Sequence, residues 1–321
     1  MKIHLAPMEG VVDASVRELL TALGGIDQCV TEFIRVTDHP LPPKVFTRYC
    51  PELENHCTTS SGTPVKIQLL GGKPEPMAVN AAKAARLGAH TIDLNFGCPA
   101  KTVNKNDGGA SLLKEPERVN QIVSAVRHAV PNTTPVTGKI RLGFHDRSGY
   151  LDNALAVAEG GASELVVHAR SKVDGYKPPA YWETLADIRE TLAKVTPNVN
   201  VVANGEIWTV EDWKQCRAES GCTDFMIGRG LMACPDLALQ IKAYAANESI
   251  AAHSWQDICS LLHRFYSATT RLYPKKFTGN RLKQWLAYLR KQYPEAEQFF
   301  EQIKGTREPL IIEKYFSEQL S

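Results

Sequence analysis

Short runs of apolar and β-branched residues recur along the chain at positions 3–6, 29–33, 65–70, 91–94, 136–141, 165–168, 200–203 and 225–227. Between most of them the apolar positions shift to a helical spacing in stretches rich in Ala, Leu, Glu, Lys and Arg, as at 76–87, 116–129, 150–159 and 210–219. Strands that alternate with crossover helices pair in parallel. Eight such units in about 240 residues match the α/β architecture of a (β/α)8 TIM barrel, whereas an open doubly wound sheet usually has fewer strands. Gly24-Gly25, Gly88, Gly160-Gly161 and Gly221 each follow a helical stretch, where a left-handed helix end is expected before the next strand. The polar, glycine-rich segments after the strands then fall at the C-terminal face of the barrel, the face that carries the sites of such enzymes. Past residue 245 the strand pattern stops, and helices are expected over 255–271, 280–292, 295–304 and 309–318. The chain therefore reads as a catalytic barrel over 1–245 and a small all-helical domain over 246–321.

With 321 residues, 43% hydrophobic and 22% charged, the chain has material for both parts. No apolar stretch has the length of a signal peptide at the N-terminus or of a membrane span anywhere, so a cytoplasmic protein without membrane partner is expected. The eight cysteines are scattered and are expected to stay reduced. Cys50, His56 and Cys57 come nearest to a metal pattern, but their spacing fits no common zinc site and supplies too few ligands, so no metal is expected. A net charge of +2 points to no polyanionic partner by itself.

The tail supplies a local asymmetry. From Arg264 to Lys291 the chain holds Arg264, Arg271, Lys275, Lys276, Arg281, Lys283, Arg290 and Lys291 with no acid, interleaved with Phe265, Tyr266, Tyr273, Phe277, Trp285 and Tyr288. On a helix from Asn280, Leu282, Trp285, Leu286 and Leu289 form a buried stripe, and Arg281, Gln284, Tyr288 and Lys291 fall on an adjoining one. A basic stripe with an aromatic suits RNA phosphates and an unstacked base. Taken alone it reads as a solvated face; the barrel's chemistry tips the balance toward RNA, with Lys304 on the next helix extending the surface.

The most informative segment is Asp93-Leu94-Asn95-Phe96-Gly97-Cys98-Pro99, running on to Asp107-Gly108-Gly109-Ala110. It leaves a strand, turns at Gly97 and displays the Cys98 thiol at the catalytic face. A thiol with an ordinary pKa of about 8.5 stays mostly protonated at neutral pH and can serve as an acid. The loops after the seventh and eighth strands, Asn204-Gly205-Glu206 and Gly228-Arg229-Gly230, stand where barrels commonly bind phosphate. Glycine lets backbone N–H groups approach an anion, and Arg229 offers a bidentate fork. The Glu206 carboxylate would repel phosphate, so only its backbone is expected to face the ligand. No dinucleotide fingerprint follows the first strand, which favours a mononucleotide cofactor.

Ala6-Pro7-Met8-Glu9-Gly10-Val11, followed by Asn95-x-Gly97-Cys98-Pro99 with Val103 and Gly109-Ala110, resembles the tRNA-dihydrouridine synthases. The resemblance continues through Gln68, Lys139-Ile140-Arg141, His168-Ala169-Arg170 and both phosphate loops. Within that family, Thr31–Val36 as Thr-Glu-Phe-Ile-Arg-Val and the segment from Arg281 to Leu286 are similar to the bacterial C-type enzymes, which act on position 16 of the tRNA D-loop. The resemblance implies flavin-dependent reduction of the uracil 5,6 double bond, with hydride to C6, a proton from Cys98 to C5, and FMN held without covalent attachment and re-reduced by NADPH or NADH. It further implies that Pro7, Met8 and Glu9 edge the flavin, that Gln68 hydrogen-bonds it, and that Lys139 places a cation where reduction accumulates charge. His168 is expected at flavin or substrate, or else is a histidine satisfied at a strand end. Asn204, Gly205, Glu206, Gly228 and Arg229 would complete the cofactor set. Arg35, Asn95, Tyr176, Arg281, Lys283, Tyr288 and Lys304 would face tRNA, the implied partner; no protein partner is implied.

Two other functions share these features: a flavin barrel acting on a free pyrimidine, which would not need the basic helices, and a tRNA-binding module that has lost catalysis, against which the intact Cys98, Lys139 and phosphate loops argue.

Overall fold

The structure is a computed structural model that describes residues 1–274, 277 and 279–320; Lys275 and Lys276 of the basic series lie outside the described residues. Nine parallel strands form one sheet: β1 (Ile3–Leu5), β2 (Gln28–Val30), β3 (Ile34–Arg35), β4 (Val65–Leu70), β5 (Ile92–Asn95), β6 (Val136–Arg141), β7 (Glu164–His168), β8 (Asn200–Asn204) and β9 (Asp224–Ile227). Their order is β2-β1-β9-β8-β7-β6-β5-β4-β3, and pairing of β2 with β4 closes the barrel. The helices around it are α1 (Ala14–Leu23), α2 (Pro43–Tyr49), α3 (Pro74–Arg86), α4 (Lys101–Lys105), α5 (Pro116–Ala129), α6 (Tyr150–Glu159), α7 (Glu183–Val195), α8 (Val210–Ser220), α9 (Arg229–Ala233) and α10 (Leu237–Ala245). Four more follow the last strand: α11 (Trp255–Leu272), α12 (Asn280–Leu289), α13 (Pro294–Ile303) and α14 (Pro309–Leu320). The expected α/β barrel with helices after it is what forms. Gly24, Gly25, Gly88, Gly161 and Gly221 take the positive φ expected of helix ends.

The extra strand comes from a bulge. Cys29 and Val30 face Val65 and Lys66, whereas Ile34 and Arg35 face Leu69 and Leu70. Between those pairs β2–β3 carries one more residue than β4, so the second barrel position breaks at residues 31–33. The ladder is kept by Thr31, whose N–H donates to the Lys66 carbonyl at 2.9 Å and whose hydroxyl accepts from the Gln68 N–H at 3.0 Å. The bulge turns Glu32 toward the β1–α1 loop, where it accepts from the Gly10 N–H at 2.5 Å.

Paired residues on neighbouring parallel strands point to the same face, so the register identifies the barrel interior. Its lower layer is polar: Lys66 pairs with Glu164 at 2.5 Å and Asn200 donates to Asp224 at 2.9 Å. Burial drives His4 in this layer down to about 4, against the opposing pull of Glu164, so it is neutral. Above it Ala6, Val30, Val166, Val202 and Met226 form a small apolar plug separate from the main core. On top of the plug lie Gln68, Asn95, Lys139, Arg141, His168 and Asn204, at the C-terminal ends of their strands. The plug therefore sets the depth of the site.

The main core fills the space between sheet and helices and runs without a break into α11–α14. Leu282, Trp285, Leu286 and Leu289 of α12 are buried, as the stripe predicts. The Trp285 indole N–H donates to the Met232 carbonyl of α9 at 3.0 Å, and its ring meets Phe265 edge-on at 4.8 Å. This side chain joins α12 to α9 by a buried hydrogen bond and to α11 by ring packing. Trp285→Ala is expected to lower unfolding free energy by about 3–5 kcal/mol, the usual loss for a fully buried large aromatic. Urea denaturation checks this, and a loss below about 1 kcal/mol would mean that the tail is held by other contacts.

Candidate active site

A cavity of about 590 Å³ opens at the C-terminal face of the barrel. Its wall includes Pro7, Met8 and Glu9 after β1, Gln68 on β4, Cys98 after β5, Lys139 on β6, His168 on β7, and both glycine-bearing loops after β8 and β9. Residues picked from seven separated segments of sequence thus meet in one hollow. Asn95, Tyr176 and Tyr288 also line it, the last delivered by α12.

Cys98 is the one cysteine of the eight that is not buried, and all eight are free thiols. Its loop is shaped by Asn95, whose side-chain oxygen accepts from the N–H groups of Gly97 and Cys98, each at 3.0 Å, an Asx-type turn. The Cys98 carbonyl accepts from Ala110 N–H at 3.0 Å and from the Asn104 amide at 3.1 Å. Gly109 passes so close, at φ +60°, that a Cβ there would lie 2.8 Å from the Cys98 oxygen; only glycine fits. Burial pushes the Cys98 thiol above its ordinary value, with Ala100 N–H opposing, so the sulfur holds its proton at neutral pH.

Asn95 belongs to a longer chain. Its amide donates to Gln68 Oε1 at 2.7 Å, the Gln68 amide donates to Asp93 at 2.7 Å, and Thr137 donates to the other Asp93 oxygen at 2.5 Å. This sequence of partners fixes which end of the Gln68 amide is nitrogen. Burial holds the Asp93 carboxyl above the usual carboxylate range despite Lys66 and these donors.

Across the cavity the charge is mostly positive. Lys139 donates to Asn204 Oδ1 at 2.9 Å, and burial, reinforced by Arg141, lowers it to about 8. Arg141 is buried, donating to the carbonyls of Gly97, Ser171 and Gly175 at 2.9–3.0 Å. Arg170, fully buried, holds the Lys177 carbonyl at 2.7 Å and Glu206 at 2.5 Å. Arg229 reaches the same Glu206 oxygen at 3.3 Å. Burial alone would raise the Glu206 carboxyl, but Arg170 overcomes it and holds the group below its usual range. The awkward carboxylate of the Asn204-Gly205-Glu206 loop is thereby spoken for by two guanidinium groups. His168 is held well below its ordinary value by burial and then by Arg141, Lys139, Arg170 and Arg229, so its ring is neutral.

Two buried polar atoms here lack partners within the protein, His168 Nε2 and Arg170 Nη1. Gly205, at φ +120°, packs closely against that histidine; a Cβ there would lie 2.9 Å from His168 Cδ2. The hollow is thus suited to an anionic, hydrogen-bonding guest. Tyr176, 54% exposed, stands over it, with Arg141 and Arg229 at 5.2 and 4.9 Å from its ring centre.

The remaining predicted residues lie elsewhere. Arg35 donates to the Asn106 carbonyl at 3.1 Å near the rim. Lys283 donates to the carbonyls of Lys304 and Thr306 at 3.2 and 2.5 Å, and Lys304 pairs with Glu301 at 2.5 Å. Arg281 is turned inward, pairing with Asp13 at 2.7 Å, rather than standing on a free charged face as the helical wheel suggests. Sequence reasoning passed over Arg141 and Arg170 as site residues, although Arg141 lies two positions after Lys139 on one strand and so faces the same way. Among the described residues there is no cluster of metal-ligand side chains and no helix long and apolar enough to cross a membrane.

A parallel eight-position barrel with a cationic hollow and an accessible thiol at the C-terminal face of its strands has the architecture of a barrel enzyme. Residues 4–320 match the dihydrouridine synthase family model, and the chain belongs to that family. It is similar to the tRNA-dihydrouridine(16) synthase of Pseudomonas syringae pv. tomato, 53% identical over 304 residues that cover 95% of this chain and 94% of that protein. The protein of the same description from Shewanella oneidensis is 49% identical over 95% of this chain and 93% of its own length, and that from Haemophilus influenzae 46% identical over 95% of each. The structure of a 2-naphthoyl-CoA reductase complex shares the fold, with a TM-score of 0.56 at 10% identity over 77% of this chain and 50% of that one.

The thiol assignment has a direct check. With iodoacetamide, Cys98 should be the first of the eight cysteines to label, slowly at pH 7 and faster as pH rises through and above the ordinary thiol range, because only the thiolate reacts. Site-resolved mass spectrometry reads this. A labelling rate already on its plateau at pH 7 would show a thiolate, not an acid.

Proposed function

We propose that this chain reduces the 5,6 double bond of a uridine in the tRNA D-loop, at position 16, to dihydrouridine, with FMN bound non-covalently in the barrel mouth and NADPH or NADH as reductant. The observation that carries the reading is the meeting, in one hollow, of the protonated Cys98 with a cation set that exceeds its own carboxylates. The similarity to the tRNA-dihydrouridine(16) synthases supports the substrate.

The residues present fit a flavin mononucleotide. Arg229 and the backbone of Asn204-Gly205-Glu206 and Gly228 would hold its phosphate, Gln68 and Lys139 would meet the polar edge of the ring, His168 would use its unpartnered Nε2, and Pro7, Met8 and Glu9 would border it. When bound and reduced, that group supplies the hydride for uracil C6. The chain does the rest. Lys139 sets a positive charge against the flavin edge that gains electrons, and the protein wall excludes water. Asn95 fixes the loop on which Cys98 points into the hollow, and the Cys98 sulfur gives its proton to C5.

Residues 1–245 act as the cofactor-holding domain and 246–321 as the tRNA-holding domain. Tyr176 and Tyr288 at the rim offer ring faces to an unstacked base, while Arg35, Lys283 and Lys304 meet phosphates. Asn95 and Arg281 serve the RNA through the loops they hold.

The test is incubation of the protein with FMN, NADPH and unmodified tRNA. Dihydrouridine should form at position 16, and free uridine should not react. Cys98→Ala should keep its flavin and its NADPH-dependent bleaching while tRNA reduction falls by about 10²- to 10⁴-fold, the usual cost of losing a positioned acid. Equal turnover of free uridine would favour a small-molecule enzyme, absence of flavin binding would leave a binding module, and equal loss of both half-reactions would make Cys98 structural.

A further inference from the structure

The β1–α1 loop that carries Met8 and Glu9 into the cavity is not held by the barrel alone. At Gly10 the peptide is gripped from both sides. Its N–H donates to Glu32 of the bulge at 2.5 Å, and its carbonyl accepts from two side chains of α12, Arg281 and Gln284, the latter at 2.9 Å. Arg281 goes further along the same loop, donating to the Val11 carbonyl at 2.8 Å and to Asp13 at 2.7 Å. Asp13 is also the N-cap of α1, accepting from Val16 N–H at 3.1 Å, and it accepts from the Tyr273 hydroxyl at 3.2 Å. The Arg281 guanidinium lies 5.7 Å from the Phe265 ring centre and is 15% exposed. Its Nη1 and Nη2 groups are thus directed at the loop and at Gln284 and not at solvent.

We infer that Arg281 and Gln284 are positioning residues for the cofactor, holding the Gly10 carbonyl so that the tail helix completes the wall of the cavity in the barrel. The inference rests on the proposed flavin reading for its meaning. Gly10 sits at φ +69° with no atom within 4 Å of the place a Cβ would take, so packing does not fix this turn and hydrogen bonds must. A guanidinium can serve two carbonyls and a carboxylate at once; a lysine ammonium at the same place can keep the charge pair with Asp13 but not the fork. A tail that grips RNA and also forms one edge of the cofactor site joins the two in a single rigid piece.

The experiment uses the full chain without tRNA, in Arg281→Lys, Gln284→Ala and, as control at the C-terminal cap of the same helix, Arg290→Ala, whose side chain pairs with Glu297 at 3.3 Å. Two quantities are read: the FMN dissociation constant by flavin fluorescence, and hydrogen exchange of the peptide spanning residues 6–13 in the flavin-free protein. Arg281→Lys and Gln284→Ala should each weaken FMN binding by about 5- to 30-fold, the loss of one or two hydrogen bonds, and speed exchange of that peptide, while Arg290→Ala changes neither. Unchanged FMN affinity and unchanged exchange in both loop variants would overturn the inference. If Arg281→Lys does not fold, Gln284→Ala carries the same test. If the wild type binds no FMN, the flavin reading fails and the exchange comparison alone decides whether α12 holds the loop.

Discussion

Positive charge held out of water is the constraint around which this molecule is arranged. Lys139, Arg141 and Arg229 line one hollow and Arg170 is buried behind its wall, where Glu206 answers Arg170 and Arg229 and Glu9 stands at the edge. In such a place like charges repel far more strongly than in solvent. Burial first, and the neighbouring cations after it, lower the Lys139 ammonium to about 8 and keep His168 neutral, while the arginines are tied to backbone carbonyls. A bound anion would relieve that repulsion, so the hollow is prepared for one before it arrives.

The rest of the fold keeps these groups in place. The apolar plug under the site stops the barrel interior from admitting them further. The bulge in the second strand spends one residue to turn Glu32 onto Gly10, and the same loop is met from the other side by α12. Asn95 ties the Cys98 loop to Gln68, and Arg170 ties the segment just after Tyr176 to Glu206. The thiol, the cations and the rim aromatics are therefore parts of one hydrogen-bonded frame, and a change at one of them is felt at its neighbours.

Much of this was legible in the chain. Short apolar and β-branched runs at regular intervals marked all eight barrel positions, because the strand residues facing the helices are apolar even where the interior-facing ones are polar, as in Val65–Leu70 and Val136–Arg141. The loops of the site were marked by glycine and by Cys98, whose placement after a strand follows from the barrel itself. The bulge left no mark, since it is defined only by the register of β2–β3 against β4. α4 and α9, at five residues each, are too short to show a helical period. Arg281 was visible as a cation, but its partners stand about 270 residues away in sequence, and no helical wheel shows a partner on another element. Arg170 was hidden for the same reason, its role lying in what it touches and not in its spacing.

If the excess charge in the hollow serves a group that gains electrons there, removing one cation shifts that group's redox potential, and a redox titration reads the shift. Lys139→Met keeps the bulk of the side chain and removes the cation nearest to Asn204. With FMN bound in both proteins, the account predicts a midpoint potential more negative in Lys139→Met than in the wild type, because the reduced, more negative form loses its counter-charge. Equal midpoints at equal FMN occupancy would contradict it, and would leave Lys139 as a residue of the barrel's packing alone.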